Sequence, residues 1–259
     1  MLKSIPLPMN SIDAYAWYGA WPHWPVPGLG EEALLARMDR LGIRTAITLP
    51  LAAAFCDADA GNAELATVIA RHPGRLVGVA GYDPRQSDSA LPILQRAMAA
   101  GLLGLVLLPA NHGYALGSEP AVEEALELAG QWGWPVFVPV RLIMSWWMPV
   151  TPAESIVAAA RRHPQTTVIM GSPSYGELAQ ALRGLSELPN LYIETSGLQS
   201  LDALKKVVDA GYADRLLLGT GQPLQMPECN LVKLAYPDLP AQAIRAILAE
   251  NAARLFGLS

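Results

Sequence analysis

A run of four to eight apolar residues, a loop and a helical stretch of about 10–15 residues recur eight times along this chain. The apolar runs fall at about 11–18, 44–50, 75–82, 103–109, 135–140, 166–171, 190–196 and 214–220. The helical stretches fall at about 31–41, 61–72, 88–100, 119–132, 152–163, 175–186, 200–211 and 240–255. Runs such as Thr45-Ala46-Ile47-Thr48-Leu49 are almost wholly apolar, as strands are when both faces of a parallel sheet are covered. Eight such units predict an α/β chain folded as one (β/α)8 TIM barrel over residues 1–259, with an open doubly wound sheet as the alternative.

The helix ends are marked. Gly30-Glu31-Glu32, Ser118-Glu119-Pro120 and Thr151-Pro152-Ala153-Glu154 read as starts, the last with capping-box spacing. Gly42, Gly101, Gly133 and Gly211 read as stops.

Composition narrows the function classes. Charged residues make up 16% and hydrophobic ones 52%, leaving apolar material for a surface as well as a core, so an oligomer is expected. A net charge of −5 gives no electrostatic case for nucleic acid or an anionic membrane. The opening residues lack a secretory apolar core, and no apolar run reaches the ~18 residues of a membrane span. Cys56 and Cys229 are too few and scattered for a disulfide framework. They read as buried free thiols in a cytoplasmic protein.

In the first run, strand alternation puts Asp13, Tyr15 and Trp17 on one face, at the barrel mouth where ligands bind. Asp13 reads as a structural carboxylate on backbone amides at the barrel bottom, or else as a buried acid of raised pKa. Glu194 faces inward with Tyr192 and Ser196 and needs a partner or a proton. Arg141 is the expected partner, either as an inward salt bridge or as a fork for a ligand carboxylate. His23 and His112 lie in mouth-side loops as candidate acid–base groups, while His72 and His163 read as helix C-terminal residues. Gly171-Ser172-Pro173-Ser174-Tyr175-Gly176 lacks the glycine spacing of a nucleophile elbow, and the glycines near 197 and 219 are a weak phosphate signal. Five tryptophans, Trp17, Trp21, Trp24, Trp146 and Trp147, crowd the loops after the first and fifth strands. With Tyr15, Ser172 and Gln222, all of these but Trp24 are the expected ligand-binding set for a small apolar or aromatic molecule. The competing reading has the rings plug the mouth.

Several segments together resemble the amidohydrolase superfamily, in its amidohydrolase-related branch of short metal-dependent hydrolases and decarboxylases. They are MDRLGIRTAI at 38–47, RHPGRLVGVAGYDP at 71–84, the stretch 119–140, PNLYIETSG at 189–197, ADRLLLGTGQP at 213–223 and NAARLFGL at 251–258. The resemblance implies a metal held by a His-x-His pair after strand one, histidines after strands five and six, and an aspartate after strand eight that also serves as general base. Position by position these fall on Tyr15 and Trp17, on Pro139, on or beside Ser172, and on Gly221. None is an imidazole or carboxylate, so no metal and no other cofactor is expected. The expectation is a pseudoenzyme: a non-catalytic subunit, homo- or hetero-oligomeric, that pairs with an active paralogue or binds a ligand. The alternative is a metal-independent hydrolase, lyase or isomerase acting on a small aromatic or lactone-like carboxylate. Arg141 would then orient the substrate, with Glu194, His23 or His112 as acid or base.

Overall fold

The computed structural model describes residues 10–23, 25, 26, 28–143, 148–200, 202–235 and 238–258. Its strands are β1 (Ser11–Tyr18), β2 (Ile43–Pro50), β3 (Leu76–Gly78), β4 (Ala80–Tyr82), β5 (Leu105–Leu107), β6 (Val136–Pro139), β7 (Val168–Gly171), β8 (Leu191–Glu194) and β9 (Leu216–Leu217). Every pair of neighbours is parallel. β3 and β4 form one stave, because Val79 N–H donates to Thr48 O at 3.0 Å on one side and Ala80 N–H to Gly104 O at 2.8 Å on the other. Closure comes from β1 and the segment after β9. Ala14 N–H donates to Leu218 O (2.7 Å), Gly221 N–H to Tyr15 O (2.8 Å) and Trp17 N–H to Gln222 O (2.7 Å). An open sheet would leave these edges unpaired; the eight-staved barrel is the fold.

Around it lie α1 (Glu31–Leu41), α2 (Ala52–Phe55), α3 (Ala58–Arg71), α4 (Leu91–Ala99), α5 (Pro109–His112), α6 (Pro120–Trp132), α7 (Ala153–Arg162), α8 (Leu178–Glu187), α9 (Ala203–Asp209), α10 (Pro227–Val232), α11 (Ala241–Arg245) and α12 (Asn251–Phe256). A wide π turn over Ala246–Glu250 joins the last two, and Ile247 O within it accepts from Leu218 N–H. The four predicted stops all hold positive φ, between 67° and 89°. The predicted capping box at Thr151 does not form. Pro152 occupies the cap and has no N–H to offer, so Glu154 instead accepts from Gln180.

Side chains alternate between two cores. Val77, Val106, Phe137, Ile169 and Leu217 fill the barrel, while Leu76, Leu105, Val136, Val168 and Leu216 face the helices. Phe256 of α12 enters the barrel core and stacks on Phe137 with ring centroids 6.1 Å apart. β1 breaks the alternation. Its pairing with β2 slips between Asp13 and Ala16, so the adjacent Ala14 and Tyr15 both join the barrel core and Ala16 turns outward. The shared face predicted for Asp13, Tyr15 and Trp17 rests on a regularity that the slip removes.

Candidate functional site at the barrel mouth

Tyr15 and Trp17 are buried, at 0% and 1% exposure, with their rings edge to face at 5.4 Å and Phe137 at 6.1 Å from Tyr15. Burial, and then the Glu194 charge, hold the Tyr15 hydroxyl pKa well above the usual phenol range, with the neighbouring Trp17 indole opposing them only in part. Neither Tyr15 OH nor Trp17 Nε1 has a well-aligned hydrogen-bond partner among the described residues.

Glu194, fully buried at the end of β8, accepts three hydrogen bonds: from Ser172 N–H, from Ser196 N–H at 2.7 Å and from Ser196 Oγ at 2.8 Å. Burial pushes its carboxyl up to about 7, against those bonds and the more distant Lys233 charge. Ser172 holds a left-handed φ of 48°, in the region non-glycine residues rarely enter, and its N–H serves Glu194. The glycines make this packing possible. A Cβ on Gly219 would sit 1.8 Å from Glu194 Oε2, and one on Gly171 would sit 3.2 Å from the Tyr15 ring.

Asp13 accepts from Tyr15 N–H (3.1 Å), Thr220 N–H (3.0 Å), Thr220 Oγ1 (2.5 Å) and Gln222 Nε2 (2.7 Å). Burial raises its pKa, and these four donors partly reverse the shift. It is the carboxylate on backbone amides that was expected, but not at the barrel bottom. Thr220 and Gln222 lie beyond the C-terminal end of β9, on the mouth side. Gln222, expected to meet ligand, gives its Nε2 to Asp13 and is 0% exposed.

Arg141 is not the partner of Glu194. Its guanidinium grips Glu177 with two bonds, of 2.8 and 3.1 Å, and Glu177 also accepts from Ser174 N–H and Oγ in a true capping box. Burial pushes the Glu177 carboxyl up, but Arg141 and Ser174 outweigh it and hold the group at about 2. The Ser-x-x-Glu spacing that runs from Ser174, in the rejected elbow motif, to Glu177 just beyond it was the available signal for this cap.

The histidines separate by burial. His112 Nε2 donates to Ala53 O at 2.7 Å, its Nδ1 stands 3.7 Å from Asp83, and burial pulls its pKa down. α2 covers the mouth-side position expected of an acid–base group, because this short helix after β2 lies against α5. His23 is exposed and packs edge-on against Trp21 and Phe55, with Trp21 buried. His72 and His163 cap α3 and α7 as expected, each against a glutamate, Glu31 and Glu123. Cys56 and Cys229 are exposed, contrary to the buried reading, because both lie in mouth-side loop and helix segments. Trp24, Trp146 and Trp147 lie outside the described residues.

The positions onto which the resemblance carries the family's ligands hold a phenol, an indole, a proline, a serine and a glycine. Among the described residues no three His, Cys, Asp or Glu side chains gather as a metal site. The two carboxylates nearest these positions already accept bonds from main-chain and side-chain donors, so the residues present do not fit the family's divalent ion.

A family model described as amidohydrolase matches residues 26–258. The chain belongs to the amidohydrolase family. Structures of similar fold include an uncharacterized TIM-barrel protein from Bordetella bronchiseptica, at 17% identity and TM-score 0.79 over 96% of this chain and 99% of that one. A 2,6-dihydroxybenzoate decarboxylase from Rhizobium aligns at 19% identity and TM-score 0.72 over 96% and 99%. A 5-carboxyvanillate decarboxylase from Sphingomonas paucimobilis aligns at 15% and 0.74 over 97% and 100%. No curated protein matches. For this amidohydrolase-family chain, likenesses at such identities establish the barrel.

Sequence reasoning missed Lys233 and the groove it lines. That groove, of about 630 Å³, lies between α10, the loop after β9 and the segments after β6 and β8. The stretch 220–240 falls between the last predicted apolar run and the last predicted helix, yet Pro227-Glu228 is a helix start and opens α10. Asn230 of that helix donates to Thr220 O at 2.6 Å, fixing α10 over the barrel's seam.

Proposed function

We propose that this amidohydrolase-family barrel works without the family's metal centre, as a non-catalytic or ligand-binding subunit. One observation carries the reading: where the family holds its ion, Tyr15 and Trp17 are packed shut against a core of side chains and glycines. Activating water at a metal needs imidazole or carboxylate ligands with an open coordination position, and these residues offer neither. An association surface is supported by Leu91 and Met98, two exposed apolar residues one heptad apart on α4.

The test is elemental analysis of protein produced with zinc and manganese in the medium, with turnover of 2,6-dihydroxybenzoate and 5-carboxyvanillate measured with and without chelator. The expected result is less than stoichiometric metal and no chelator-sensitive turnover. One ion per chain, with activity lost to chelation, would overturn the reading.

A second reading, metal-independent chemistry on a small aromatic carboxylate, is favoured by Glu194, a buried acid pushed to about 7 at a strand end. Turnover indifferent to chelator and abolished in Glu194→Gln would select it.

A further inference from the structure

The mouth-side groove has apolar walls from Ile143, Leu224, Met226 and Val232 and a polar side with Gln225 and Glu228, and Lys233 is among its lining residues. Lys233 is only 8% exposed. Its amine donates to two neutral acceptors, Thr195 O at 3.1 Å and Ser196 O at 3.0 Å. No carboxylate among the described residues stands within ion-pair distance of it. A buried ammonium with no counter-charge in direct contact is costly, and shedding a proton relieves that cost. A lysine desolvated beside an apolar pocket is a nucleophile for carbonyl carbon.

We propose that Lys233 captures small apolar aldehydes or ketones in this groove as imines. The amine lone pair forms the C–N bond while the carbonyl π pair moves to oxygen. Both amine hydrogens then depart with that oxygen as water, leaving C=N. No oxidant or metal enters the step.

The electrostatics agree with the geometry. Burial pushes Lys233 down to about 8, and the two titratable groups acting on it, Glu194 and then the Cys229 thiol, only partly oppose this. At pH 7 about one Lys233 in ten is then the free amine, against about one in several thousand for an ordinary exposed lysine. The inference stands apart from the metal reading, since either outcome there leaves the groove and its amine in place.

The experiment is reductive trapping of the full-length protein with benzaldehyde and sodium cyanoborohydride at pH 7, followed by peptide mass mapping. Lys205 and Lys206, roughly half exposed and paired with Asp209 and Asp202, are internal controls. The benzyl label is expected on Lys233 at least about tenfold faster than on either control, and this fast phase is expected to vanish in Lys233→Met. Labelling of Lys205 or Lys206 as fast as Lys233 would overturn the proposal. Should Lys233→Met not fold, the site distribution in the unmodified sequence decides alone.

Discussion

Glu194 and Gly219 share one volume: any side chain at 219 would place its first carbon 1.8 Å from Glu194 Oε2. The carboxylate bonded to Ser172 and Ser196 therefore depends on a residue that contributes no atoms beyond its backbone. Gly219→Ala should cost at least about 2 kcal/mol, the scale of overpacking a dense core. Denaturant unfolding of the variant against the parent measures it; an unchanged midpoint would show that Glu194 can move aside.

Asp13 holds four donors at the barrel's seam. Asp13→Ala strands those donors in a fully buried seam and should destabilise by about 3 kcal/mol or more. A loss below about 1 kcal/mol would mean that the seam relaxes and finds other acceptors.

Tyr15→Phe should do very little, within about 1 kcal/mol of the parent and with no lowering of Tm. The hydroxyl lies buried without an aligned partner, so its removal forfeits little and relieves a desolvation cost. A drop of several kcal/mol would reveal a bond that the geometry lacks.

Two carboxylates should tilt stability in opposite directions with pH. Glu177 is held at about 2, below its ordinary value of 4.5. The stability it supplies is present above 4.5 and is lost as pH falls from there toward 2, a slope that Glu177→Gln should flatten. Glu194 is raised to about 7. Its contribution is complete below 4.5 and is lost as pH rises through 7. Unfolding free energies measured from pH 3 to 8 test both signs; a Glu177→Gln variant with an undiminished acid slope would contradict the first.

Both cysteines are exposed. A chromogenic disulfide should therefore titrate two thiols per chain in buffer without denaturant, within minutes. Reaction only after unfolding would restore the buried reading.

How far the sequence reaches is visible residue by residue. The strands are legible because burial on both faces demands continuous apolar runs, and the stops because a left-handed turn favours glycine. The inward face of Glu194 follows from strand alternation alone. The same rule fails at Asp13, since a slip in register leaves no mark in residue types. Arg141 illustrates a different limit. Which of two glutamates, Glu177 or Glu194, it meets is settled by backbone paths after β6 and β7, and only the Ser174 cap hinted at the answer. Lys233 was invisible because an isolated lysine just past the end of a short helix resembles any solvated one until its neighbours close around it.

The bond from Thr220 N–H to Asp13 spans 207 positions of the chain. A ribosome adding about 5–20 residues each second needs on the order of 10–40 s between making the two. Throughout that interval the nascent first strand has one edge without its neighbour and an acid with no donors from across the seam. Such a molecule stays open at this seam until its last strand has been made.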